Sequence, residues 1–207
     1  MKIHTVLFDL DGTLSNSSIL TVAAFDVIAP QFGLTPPTLE AIQRATGYSN
    51  PEFYFRLFPD IPQDKIAHMG SLIEQEELRI LSSMSHMLLF PGCLELLNEL
   101  RSRGIRLYIA STGATDHVYP ILRETGIQDY FERIVCHRPD KTDMLREMTK
   151  DLDKDGCLMV GDMKKDYEAA RANGIMSVGA CFGYCRREFT DFDIYIDTPF
   201  ELLRFIS

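Results

Sequence analysis

The chain has 207 residues, 45% hydrophobic and 25% charged, with a net charge of -9. That length allows a core domain plus an insertion, the apolar content supports a real core, and a largely disordered chain is excluded. The acidic balance repels a phosphate backbone, which excludes nucleic acid as a partner.

A short buried strand is predicted at residues 5–8, where an apolar run is broken by Asp9 and Asp11 before a signal peptide forms. Residues 15–89 then hold no convincing strand but carry helical patterns at 19–32, 38–46 and 64–82, punctuated by Pro36-Pro37 and by Pro59 and Pro62. This interval is expected to be a helical cap domain, with 1–14 and 90–207 forming the core domain. Phe90-Pro91-Gly92 marks the return to the core. A helix at 92–102 and strands at 106–110 and 133–136 follow. Next come a helix at 142–151 and strands at 157–160 and 176–178. Residues 193–197 are read as a short edge strand leading into a last helix at 199–206. Alternating strands and helices predict an α/β fold: a Rossmann-like parallel sheet core with a helical cap inserted after the first strand. No stretch approaches the ~20 apolar residues of a membrane span, so no membrane is expected. Five cysteines without Cys-x-x-Cys spacing fit reduced thiols and a cytoplasmic location.

In open α/β sheets ligands bind beyond the carboxyl ends of the strands. The first strand is followed by Asp9-Leu10-Asp11-Gly12-Thr13, two acids spaced to point the same way with a glycine for the turn. The second leads into Ser111-Thr112-Gly113, whose hydroxyls and N–H groups are donors of the kind that hold phosphate. Lys141 follows the third, in the first turn of a helix. The dipole disfavours a cation there, so an anionic partner is implied. The fourth ends in Gly161-Asp162, with Asp166 further on. Alone, each has a bland reading: Asp as cap or turn former, the hydroxyls as plain loop, Lys141 as a solvated charge. Together, at successive strand ends of one sheet, they form a site. Two carboxylates ~4 Å apart repel by about 4 kcal/mol at an effective dielectric near 20. Asp9, Asp11 and Asp162 therefore require a cation, and an all-oxygen set without histidine or cysteine pairs suits Mg²⁺. His117 reads as a helix-start residue.

This pattern, spread from residue 4 to about 185, resembles the haloacid dehalogenase superfamily, whose phosphatases carry Asp-x-Asp-Gly-Thr, a Ser or Thr, a Lys, and Gly-Asp-x-x-x-Asp. The helical cap, Pro91-Gly92 and Gly183-Tyr184 look like its phosphoglycolate phosphatase-like and β-phosphoglucomutase-like branch. Asn16 stands where many relatives have Asp, and Thr142 where many have Pro. The resemblance implies that Asp9 is the nucleophile and Asp11 general acid then base. It implies that Leu10, Ser111, Thr112 and Lys141 bind phosphate, that Asp162 completes a Mg²⁺ site with Asp9 and the Asp11 carbonyl, and that Asp166 supports it. Arg44, Tyr48 and Asn50, near a cap turn, are the candidates for substrate specificity. The expected activity is Mg²⁺-dependent hydrolysis of a small phosphate monoester through an aspartyl-phosphate. A phosphomutase of the β-phosphoglucomutase type is the alternative, and a dehalogenase or a non-catalytic binding module fits the acids and lysine less well. The expected partner is a small-molecule phosphate ester, in a monomer or weak dimer.

Overall fold

The computed structural model describes residues 2–48, 50–138 and 140–206. Strands β1 (Thr5–Phe8), β2 (Arg106–Ala110), β3 (Arg133–Val135), β4 (Cys157–Gly161), β5 (Met176–Ala180) and β6 (Ile194–Ile196) form one six-stranded sheet in the order β3-β2-β1-β4-β5-β6. Every pairing is parallel. β1 and β4 are buried along their whole length, which is why each is a continuous apolar run rather than an alternating one.

The helices are α1 (Ser18–Ile28), α2 (Leu39–Ala45), α3 (Glu52–Leu57), α4 (Gln63–Met84), α5 (Cys93–Ser102), α6 (Thr115–Glu124), α7 (Lys141–Thr149) and α8 (Lys164–Asn173). Phe8 pairs in register with Ile109 and with Val160, so β1, β2 and β4 end level. From β1 the chain builds outward through β2 and β3, then crosses to β4 on the other side. That reversal opens the crevice in which such sheets place ligands.

Between β1 and α5 the chain forms helices α1–α4, and these share an apolar cluster around Phe25, Ile42, Tyr54, Ile66 and Ile73. A separate, larger cluster packs the sheet against α5 and α6. The two chain crossings between these bodies run side by side: Asn16 N donates to Leu88 O at 2.6 Å and Phe90 N to Leu14 O at 3.0 Å. Among the described residues no helix is long and apolar enough to cross a membrane.

Three details depart from the sequence reading. The first helix stops at Ile28 and tightens into a 3-10 turn over Ala29–Phe32, because Pro30 has no N–H to continue the α-helical ladder. α3 is six residues long and aromatic on several sides, too short for a helical period to show. The C-terminal Pro199–Phe205 is a 3-10 rather than an α-helix, and of its residues only Pro199 and Leu202 are buried. With so little apolar face docked, nothing enforces the longer helical repeat.

Candidate active site

The loop after β1 folds back on itself, with the N–H groups of Leu14 and Ser15 both donating to Leu10 O at 2.9 Å. Gly12 makes this possible with φ of 79°, in the left-handed region that a side chain resists. Any Cβ there would lie 2.6 Å from an Asp162 carboxylate oxygen and 2.4 Å from the Tyr184 ring. Gly183 matters through proximity instead. A Cβ there would sit 1.9 Å from Gly12 O, which accepts from Tyr184 N at 3.0 Å. Tyr184 Oη in turn donates to Asn16 Oδ1 and accepts from Ser18 N, both at 2.9 Å. The neutral amide at position 16 thus ties the loop after β1 to the start of α1.

Lys141, only 3% exposed, links two acids: its Nζ is 3.0 Å from Asp9 Oδ1 and 2.6 Å from Asp166 Oδ1. Asp140 caps α7 by accepting from Thr142 N at 2.8 Å, and this helix start aims the lysine at the sheet edge. The anionic partners that a first-turn lysine needs are therefore carboxylates of the chain itself. Asp166 also accepts, through Oδ2, from Asp162 N at 3.1 Å and Met163 N at 2.9 Å. It is a helix-capping acid and a member of the site at once.

Carboxylate oxygens of Asp9, Asp162 and Asp166 come within 4.8 Å of one another, all three residues buried. Asp162 spends Oδ1 on the Thr13 hydroxyl at 3.1 Å, while its buried Oδ2 has no hydrogen-bond partner. A buried, unpaired carboxylate oxygen beside two further acids is costly unless a cation completes it. Burial pushes the Asp9 carboxyl up to about 7, opposed by Lys141. Burial likewise raises Asp162, and the charges of Asp166 and Asp9 add to it. Burial alone would lower the Lys141 ammonium, but Asp166 and then Asp9 outweigh it and hold it above the ordinary lysine value.

Asp11 turns elsewhere. Its Oδ1 lies 3.0 Å from His117 Nε2 on α6, with the imidazole 27% exposed. Burial would raise Asp11, yet the His117 charge and hydrogen bond overcome it and hold the carboxyl below its usual value. His117 is pushed up to about 9: burial opposes the shift, and Asp11 and then Glu77 prevail. The resting pair is a carboxylate and an imidazolium. In the sequence His117 reads as a helix-start residue, although a signal for more is present. A cationic ring in a first helical turn is disfavoured by the dipole just as Lys141 is, and so asks for an anion.

Ser111 is buried at the end of β2, its Oγ accepting from Gly113 N at 3.0 Å. The Leu10 N–H is taken by Asp9 Oδ1 at 2.9 Å. Asp9, Asp11, Ser111, Thr112 and His117 open into a cavity of about 770 Å³ whose opposite wall comes from α1, α4 and the turn after α2. Of the specificity candidates, Tyr48 and Asn50 line it. Arg44 does not: it is exposed and paired with Glu40 at 2.9 Å. Tyr48 lies under the Arg56 guanidinium at 3.6 Å, and Asn50 Nδ2 donates to Glu74 at 2.5 Å.

A parallel sheet with a lysine-bridged carboxylate cluster at its carboxyl edge, facing a cavity beneath helices, defines an α/β enzyme that handles an anionic group. Residues 6–180 match the family model of haloacid dehalogenase-like hydrolases, and the chain belongs to that family. It is 26% identical over 212 residues to a phosphoglycolate phosphatase of Synechococcus elongatus, covering 99% of this chain and 97% of that one. It is 30% identical over 198 residues to the tyrosine-protein kinase PtkA of Mycobacterium bovis, covering 90% of this chain and 65% of that one. Among solved structures, a haloacid dehalogenase-like hydrolase from Streptococcus pneumoniae superposes with a TM-score of 0.82 at 25% identity, covering 98% of both chains.

Proposed function

We propose that this protein is a Mg²⁺-dependent phosphatase that hydrolyses a small phosphate monoester through an aspartyl-phosphate on Asp9. The observation that carries the reading is the arrangement around Asp9. One carboxylate oxygen is held by Leu10 N and Lys141 at 2.9 and 3.0 Å, and the residue faces the cavity beside the unpaired oxygen of Asp162. The relatives differ in named activity, so the acceptor has to be argued from this site. Asp11, which lines the cavity beside Asp9, is placed to activate water as the acceptor.

Asp9, the Asp11 carbonyl and Asp162, with oxygen donors only, fit a hard divalent cation, and Asp166 beside Asp9 and Asp162 supports the site. Bound there, Mg²⁺ supplies positive charge against the phosphoryl oxygens and keeps Asp9 ionised. The chain's own groups do the rest. Asp9 attacks phosphorus in line and carries the phosphoryl group. Lys141 and the Ser111 hydroxyl stabilise its oxygens. The Asp11–His117 pair supplies the proton that the departing alkoxide takes up. Asp11, ionised at rest, then takes a proton from the water that releases phosphate. Residues 15–89 act as a cap domain over the core of 1–14 and 90–207, enclosing the leaving group and excluding bulk water.

The test is phosphate release from p-nitrophenyl phosphate and from alkyl phosphates. Chelation should abolish turnover and added Mg²⁺ restore it, and Asp9→Asn should lose several orders of magnitude. Full activity after exhaustive chelation, or an Asp9→Asn enzyme near the wild-type rate without deamidation, would sink the proposal. Sugar phosphate isomerisation without phosphate release would point to a phosphomutase instead.

A further inference from the structure

On the phosphatase reading, the alcohol half of the substrate extends from Asp9 into the 770 Å³ cavity, so the groups facing that space decide what it accepts. Two carboxylates of α4, Glu74 and Glu77, line it, and Asp116 joins them from α6. Glu77 accepts from Thr21 Oγ1 at 2.6 Å, and Glu74 from Asn50 at 2.5 Å. These neutral donors orient the acids without cancelling their charge.

Most of the cations nearby are committed to other partners. His117 is spent on Asp11 at 3.0 Å. Lys165 donates to Gly47 O at 2.7 Å, and Arg56 pairs with Glu52 at 3.0 Å while lying over Tyr48. Arg123 also lines the cavity, but it is exposed and six residues beyond His117 on α6, about 9 Å further along the helix, so one solvated cation at that end faces the three acids Glu74, Glu77 and Asp116. The remaining wall includes the aromatic rings of Tyr48, Phe53 and Tyr119.

We propose that this cavity selects phosphate monoesters whose alcohol half carries hydroxyls or a protonated amine, and rejects those whose alcohol half carries a carboxylate. The inference deepens the phosphatase reading and rests on it. A substrate carboxylate would meet like charges in a space of reduced dielectric, where repulsion is felt over several ångströms. Hydroxyls would donate to Glu74 and Glu77, and an ammonium would gain both acids and the aromatic faces. The relative from Synechococcus elongatus is named for phosphoglycolate, an ester whose alcohol half is a carboxylic acid. This cavity has the wrong charge for it.

Aminoethyl phosphate, hydroxyethyl phosphate and phosphoglycolate differ mainly in the charge of a group of similar size. With Mg²⁺ present, kcat/KM for each is measured and divided by the same enzyme's rate on p-nitrophenyl phosphate. Wild type should favour both non-carboxylate esters over phosphoglycolate by at least about tenfold, the effect of ~1.4 kcal/mol. The double variant Glu74→Gln/Glu77→Gln should narrow that gap, and Glu77→Asp, which keeps the charge, should preserve it. Phosphoglycolate as the equal or better substrate of wild type would overturn the inference, as would a gap that the double variant leaves intact. Absence of p-nitrophenyl phosphate hydrolysis by wild type would instead overturn the phosphatase reading beneath it.

Discussion

Asp166 shows how one side chain can satisfy both a structural and a chemical demand, since its two oxygens hold the Asp162 and Met163 amides and the Lys141 ammonium. The Asp11–His117 pair permits a sharper test, because its contribution to stability depends on pH in a defined sense. His117 rises from an ordinary 6.5 to about 9 on folding, so its share is fully present below 6.5 and is lost as pH climbs through about 9. Asp11 is lowered from an ordinary 3.8, so its share is present above 3.8 and is lost as pH falls below that value. Urea unfolding of wild type and His117→Asn should therefore differ most between about pH 4 and 6.5 and converge above about 9. A constant difference across that range would mean that the imidazole is not charged in the folded protein. The acids and Lys141 were legible in the sequence because strand ends in a parallel sheet converge whatever the intervening chain does. His117 carried only its first-turn position as a signal, since its partner lies 106 residues away and only the folded sheet brings them together. Glu77 was hidden for the same reason, as it reaches the site from a helix inserted between two strands.

At the level of elements, the central strands β1, β2 and β4 were readable almost to the residue because burial on both faces leaves an unbroken apolar run. The short helix α3 and the 3-10 segments were not, because tertiary packing rather than local periodicity decides them. Packing also decides how the turn after α2 meets the core. Lys165 at the start of α8 donates to Gly47 O at 2.7 Å and lies 5.3 Å above the Tyr48 ring. The Thr112 hydroxyl reaches the same carbonyl at 3.5 Å. This latch joins the helical segment to the sheet edge beside the phosphoryl site. Lys165→Met should loosen it, raising KM for alkyl phosphates roughly two- to tenfold, the size of a net hydrogen bond of ~0.5–1.5 kcal/mol. A change confined to kcat would assign Lys165 to the chemistry instead of to closure.

Across the whole molecule, one apolar cluster packs the sheet against α5 and α6, another packs it against α7 and α8, and a third fills the space among α1–α4. The first and third are not independent, because Leu20, Leu81 and Leu88 from the inserted segment belong to the first. Deleting the segment outright would therefore strip apolar surface from the core, and a buried point substitution separates the two bodies more cleanly. Phe25 is fully buried, with the rings of Phe53, Tyr54 and Phe58 at 6.5, 6.3 and 5.8 Å. Truncating such a ring costs ~3–5 kcal/mol where neighbours cannot collapse into the space. In Phe25→Ala that loss falls on the helical cluster, so amides of α1–α4 should exchange faster while those of β1, β2 and β4 keep most of their protection. The catalytic loop hangs from the sheet and the cavity wall from the helices, so turnover should split in the same way. Hydrolysis of alkyl phosphates, which need an enclosed leaving group, should fall further than hydrolysis of p-nitrophenyl phosphate, whose phenolate departs without such help. Equal acceleration of exchange in helices and sheet would show that the helical and sheet clusters unfold as one unit. Equal loss on both ester types would show that the helices support the chemistry itself, and the assignment of residues 15–89 to substrate selection would then have to be abandoned.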